Sequence, residues 1–258
     1  MNFTDARQYF IDEFFKDGIR SLSNPADVRW AIEKAYADMT LRTIRGAGRV
    51  PNLKADCCTK AEELFDHFFQ GGAPTTEDVF DKKHNEMCDE FLKCFNQYLA
   101  DQGLAKQQYG KAQKIINMTF KYLYCFIDSE EKADYFQFCH MPLDSYILGW
   151  CARINIKGAG DCSWSSLDYG KYKKFCTEIR RHINSETALY HEDSSIQKGK
   201  TALECEFVIW QEEKRRTLLK NLDSILSACE KDKYFKRKLS EKEKKHIQSR
   251  FEKLTFGA

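Results

Sequence analysis

Phe80, Met87, Phe91, Phe95 and Leu99 recur at seven- and four-residue steps through a stretch that holds neither proline nor glycine. That spacing lines one side of a 3.6-residue helix with apolar groups and cannot match the two-residue alternation of a half-buried strand. Thr76-Glu77 supplies a start for the helix and Asp101-Gln102-Gly103 a stop. The same signals recur elsewhere. Ser23-Asn24-Pro25 offers a cap and a first-turn proline, followed by Val28, Ile32, Ala35 and Met39 on one face. Residues 60–70 read as another helix, halted by Gly71-Gly72. Residues 110–126 are apolar on more than one side, which predicts a central, largely buried helix.

The second half continues the pattern. A polar loop is expected over 128–134, and Pro142 predicts a helix beginning beside Asp144, with the carboxylate at its N-terminus. Residues 155–160 read as a loop, and Ser165-Ser166-Leu167-Asp168 as the cap of a helix running to His182. A further helix is expected from Thr201 through Trp210 to Ala228, and a last one from Ser240. No repeat, sustained heptad or long strand alternation interrupts this reading, so the fold class is all-α with about ten helices.

Composition narrows the function classes. With 258 residues and 42% hydrophobic content the chain can bury a sizeable core, and 4 Pro and 13 Gly leave little material for long linkers. A single domain over residues 1–258 is expected, with two helical lobes (about 1–105 plus the C-terminal helices, and 106–200) flanking a cleft. No run approaches the ~20 apolar residues of a membrane span. The 11 cysteines are odd in number and never spaced Cys-x-x-Cys, and the N-terminal residues lack a leader pattern. Reduced, buried thiols in a cytoplasmic protein are therefore expected, with no metal site and no cofactor. Net charge is −4 over residues 1–100, +2 over 101–200 and +4 over 201–258, an asymmetry compatible with one face meeting phosphates. The basic run over 231–245 reads as a solvated helix pair, and His140 as structural.

Two segments place ionisable groups in apolar surroundings: Gly110-Lys111-Ala112-Gln113-Lys114-Ile115-Ile116 and Met141-Pro142-Leu143-Asp144-Ser145-Tyr146-Ile147-Leu148. A lysine at the start of a buried helix loses hydration and tends to titrate low, which yields the free amine that attack on a sugar carbon needs. A carboxylate held nearby can stabilise positive charge growing on the sugar. Read alone, Lys111 is equally a surface charge with its stem packed down, and a helix cap is the lesser alternative for Asp144.

These residues resemble a known family. Pro142-Leu143-Asp144-Ser145-Tyr146-Ile147-Leu148 is similar to the segment carrying the essential aspartate in helix-hairpin-helix DNA glycosylases. Gln113-Lys114-Ile115-Ile116 and the apolar helix after it resemble the nucleophile helix of the archaeal-type 8-oxoguanine DNA glycosylase branch (AGOG). Asp144 follows Lys114 by 30 residues, close to that branch's spacing. Glu206 and Trp210, four apart on one helical face, resemble its acidic residue and tryptophan that contact the extruded base.

The resemblance implies a helix-hairpin-helix glycosylase-like fold and excision of an 8-oxoguanine-like base through a lysine Schiff base, with AP-lyase activity as a possible second step. It makes Lys114 and Asp144 catalytic. Glu206, Trp210, Met118 and Trp30 become substrate-binding, and Gly110 and Lys111 DNA-binding. The partner is double-stranded DNA bearing a modified base, bound by a monomer that does not meet a membrane. The chain departs from the branch at three places: Tyr109-Gly110-Lys111 stands where the Leu-Pro-Gly-Val-Gly hairpin is usual, Met118 replaces a sandwiching aromatic, and Glu206 replaces an aspartate. Alternatives stay open. Lys111 is the second candidate nucleophile, and Asp144 could activate water in a monofunctional enzyme. The substrate could be a hypermodified base in phage DNA, making the chain a defence factor, or the chain could be a non-catalytic helical interaction protein.

Overall fold

Capping side chains fix where most of the helices begin. The computed structural model describes residues 3–15, 25–40, 44, 46–126, 133–185, 200–222, 224, 226–227 and 239–256. Among them are nine α-helices and no strand: α1 Phe3–Phe14, α2 Pro25–Thr40, α3 Leu53–Gln70, α4 Glu77–Ala100, α5 Tyr109–Tyr124, α6 Ser145–Arg153, α7 Tyr169–Asn184, α8 Ala202–Lys220 and α9 Glu241–Phe256. Short 3-10 turns lie at Ala47–Arg49, Asp134–Phe136 and Trp164–Ser166.

Thr76 accepts from the Val79 N–H at the head of α4, Asp168 from the Lys171 N–H at the head of α7, and Thr201 with Glu204 forms a capping box on α8. Each satisfies a backbone donor that a helix start leaves open. The expected cap at Ser23-Asn24, residues 128–132 of the loop expected over 128–134, the run 231–238 and the expected end of α8 at Ala228 lie outside the described residues, while Asp134 at the end of that loop opens the 3-10 turn. Within them α8 closes at Lys220.

The α4 stripe is buried as its spacing predicts: Phe80, Phe91, Phe95 and Leu99 are fully covered and Met87 nearly so. The α3 helix starts at Leu53, seven residues before the start expected at 60. The reason lies in Leu53, Cys57, Ala61, Leu64 and Phe68, which form a continuous buried stripe in which a cysteine acts as a small hydrophobe. The ten described cysteines form no disulfide with one another, and eight of them are buried.

The central element is α5, buried at every one of its 16 positions. It packs against α2, α4 and α7 and against the turn at 164–166, while α8 packs against α1, α6, α7 and α9. An all-round buried helix with polar residues must pair them inside. Asn117 does so with His84 (2.7 Å) and Tyr172 (2.9 Å). His140 in turn bonds the Tyr172 hydroxyl (2.7 Å) and Asp81 (2.9 Å), which also meets Arg180 at 2.8 Å. Burial pushes both histidines below their ordinary value. His140 is therefore part of a satisfied internal network, as the sequence suggests.

Candidate active site on the central helix

The start of α6 and the first turns of α5 meet at one carboxylate. Asp144 is the N-cap of α6: its Oδ1 accepts from the Tyr146 and Ile147 N–H groups at 2.9 and 3.0 Å. Its other oxygen faces α5 and α8, where Lys114 Nζ lies 3.0 Å away and the Trp210 indole N–H donates over 3.1 Å. The Lys114 and Asp144 side chains are 8% and 13% exposed, so the pair is enclosed without being sealed. Burial pushes the Asp144 carboxyl up, but the Lys114 ammonium and the Ile147 N–H together hold it below the ordinary aspartate value. The group is an anion at neutral pH, and its helix-capping role and its contact with the amine use different oxygens.

A second pair lies two turns further along the same face of α5. Lys121 Nζ sits 2.6 Å from Glu206 Oε2, with both side chains 1% exposed. The ammonium also lies over the rings of Phe10 (3.9 Å to the centroid), Phe207 (4.9 Å) and Trp210 (5.2 Å). Burial raises the Glu206 carboxyl above its usual range despite Lys121. Trp210 thus joins the two pairs, with its N–H on Asp144 and its face toward Lys121. Lys121 was not singled out in the sequence. Its seven-residue step from Lys114, which returns to the same helical face, is the signal that could have found it.

Of the remaining sequence-predicted residues, Met118 lies one turn after Lys114 and is 7% exposed within the core. Glu206 meets Lys121, not the Lys114–Asp144 pair directly. Trp30 packs on Phe15 at 5.1 Å and stands at the far end of an aromatic row through Phe15 and Phe10 to Trp210. Tyr146 closes the other side of Trp210, edge-on at 5.5 Å.

Gly110 and Lys111 sit at the head of α5 against the turn at 164–166. The Gly110 N–H donates to the Leu167 carbonyl at 2.9 Å, and a Cβ at position 110 would come 1.9 Å from the Trp164 carbonyl oxygen. Only glycine permits that approach. The Lys111 ammonium lies 4.6 Å over the Trp164 ring and has no hydrogen-bond partner among the described residues. Burial alone lowers it to about 8. Among the described residues no cluster of His, Cys, Asp or Glu could hold a metal ion, and no helix is long and apolar enough to cross a membrane.

The arrangement offers an amine, an anion 3.0 Å from it and an indole bridging to a second cation. That set can support nucleophilic attack at an electron-poor carbon beside a stabilised positive charge. No family model matches the chain, and comparisons with curated proteins and with solved structures find no significant match.

Proposed function

We propose that the chain is a DNA glycosylase that removes a damaged or modified base, with Lys114 as the attacking amine and Asp144 as the anion beside it. The observation that carries the reading is the Lys114–Asp144 contact at 3.0 Å between residues 30 apart in sequence, enclosed beneath Trp210. DNA chemistry on a base requires the nucleotide to leave the stack, and an indole near the reacting groups is the kind of surface an extruded base meets. Lys114 first gives up a proton, for which Asp144 is the adjacent acceptor. Its Nζ then bonds to C1′ as the glycosidic bond breaks, and the base departs with the electron pair and takes up a proton. That proton comes from Asp144, and the carboxylate so restored then opposes the positive charge on the sugar. Opening of the sugar ring leaves an imine, from which β-elimination can cleave the strand.

Borohydride trapping tests this reading. The wild-type protein mixed with duplexes containing an abasic site or a modified base, including 8-oxoguanine and phage-type hypermodified bases, is expected to give a reduced covalent adduct. Lys114→Gln is expected to give none, and Asp144→Asn to slow base release on the order of 10²–10³-fold. An adduct that survives in Lys114→Gln and vanishes in Lys111→Met would move the nucleophile to Lys111. Neither adduct nor released base from any duplex, with folded protein, would overturn the glycosylase reading in favour of an interaction protein.

A further inference from the structure

Residues 113 and 143 immediately precede the two groups of the reactive pair, and they are joined as tightly as the pair itself. The Gln113 amide nitrogen donates to the Leu143 carbonyl at 2.8 Å and to the Gly110 carbonyl at 3.1 Å. Its oxygen accepts from the Leu143 N–H at 3.2 Å and from the Asn117 amide at 3.0 Å. Four bonds use both donors and both lone pairs of one amide, on a side chain with no exposed surface. Both backbone groups of Leu143 are taken by that one side chain, as a neighbouring strand would take them. Asn117, held by His84 and Tyr172, donates to the Gln113 oxygen and so fixes which amide atom meets the Leu143 N–H and which meets its carbonyl.

We propose that Gln113 is a positioning residue that sets the separation and register of Lys114 and Asp144. The inference rests on the reading of that pair as the reactive centre. The segment before α6 is irregular from 137 to 144 apart from its turns, and beside Gln113 its backbone before Asp144 meets α5 through one long bond, Asn117 to the Met141 carbonyl at 3.5 Å, and through apolar contacts, which are non-directional and tolerate sliding. Two hydrogen bonds of opposite sense to Leu143 remove that freedom, so the next residue along each element arrives at a fixed distance. Directional bonding one residue from the chemistry is what near-attack geometry requires, since a misplacement of about 1 Å can cost on the order of 10²-fold in rate.

Two variants separate positioning from bulk stability. Gln113→Met keeps the length and loses all four bonds. Gln113→Glu can rebuild the Leu143 contacts when protonated, with a hydroxyl donor and a carbonyl acceptor, but not when ionised. For Gln113→Met the expected result is a fall of about 10²-fold in single-turnover base release with DNA affinity within about twofold. For Gln113→Glu it is a recovery of rate as pH falls from about 8 to 6, a rise absent from wild type.

A readout that needs no substrate accompanies these. The Asp144 carboxyl, followed by carbon NMR and identified by its loss in Asp144→Asn, should titrate closer to ordinary aspartate in Gln113→Met as its contact with Lys114 loosens. An unchanged Asp144 titration in folded Gln113→Met overturns the positioning role, whatever the enzyme does. Should Gln113→Met not fold, Gln113→Glu decides: Asp144 shifting in step with ionisation at position 113 supports the role, and an Asp144 indifferent to it overturns it. Wild-type protein that gives neither adduct nor released base while the Asp144 shift occurs would refute the glycosylase reading and leave the Gln113 positioning contact standing.

Discussion

The two ion pairs on α5 share a helix face and an indole, yet their surroundings pull their carboxyls in opposite directions. At Lys114–Asp144 the carboxylate also receives two backbone N–H groups at a helix start, and the site touches solvent. At Lys121–Glu206 the pair is sealed at 1% exposure among aromatic rings. Desolvation acts on both, but only the first has enough donors to overcome it, so Asp144 is held low and Glu206 is pushed up. The difference teaches that proximity of opposite charges does not set a group's behaviour; the count of additional donors and the access of water do. An anion with spare donors suits a reaction that develops positive charge, whereas a sealed pair suits a fixed internal brace.

Removing one partner from each pair should break that comparison most visibly. Lys121→Met leaves Glu206 buried without its cation and is expected to cost about 3–5 kcal/mol, whereas Lys121→Met with Glu206→Leu should return to within about 1 kcal/mol of wild type. Lys114→Gln should cost only about 1 kcal/mol, because Asp144 keeps its other donors. Urea denaturation monitored by circular dichroism measures all three.

Acid titration sharpens the contrast by sign. The Glu206 carboxyl is raised in the folded state, so that state takes up a proton before the unfolded chain does. Its contribution to stability therefore improves as pH falls toward the ordinary glutamate value of 4.5. The Asp144 carboxyl is lowered, so its contribution is present above 3.8 and is lost as pH falls below that value. Glu206→Gln should remove the first change and Asp144→Asn the second, in unfolding curves taken from about pH 6 down to about pH 2.

Lys111, the third buried amine of the helix, extends the comparison to a cation with no carboxylate beside it among the described residues. Its amine falls to about 8 in the folded state, so the unfolded chain binds the proton more tightly and stability should rise with pH above that value. Lys111→Met is expected to flatten this rise, by about 1 kcal/mol between pH 8 and 9, read from thermal melts.

Much of this frame is legible in the residues. Pro142 followed by Asp144 marks the start of α6, and the four-residue steps of α4 give its buried face outright. Lys114 and Asp144 come together as the family resemblance implies. What escapes the sequence is pairing across long separations: Lys121 with Glu206, or Asn117 with His84 and Tyr172, join residues whose neighbours carry no mark of the contact. Local patterns report which face is apolar, while partner choice depends on how helices cross. The early start of α3 was hidden for a different reason, since Cys57 completes an apolar stripe that reads as a thiol when taken alone.

The missing clearance between Gly110 and the Trp164 carbonyl has a mechanical meaning. Two surfaces that admit no atom between them, and are bonded across the join by the Gly110 N–H, cannot slip past each other. Force applied to the exposed Ser166 of that turn would be felt as a tilt at the head of α5, one turn from Lys114. The first turn of the central helix is thereby keyed to the loop beside it, and the pocket amine one turn on inherits that fixed seat.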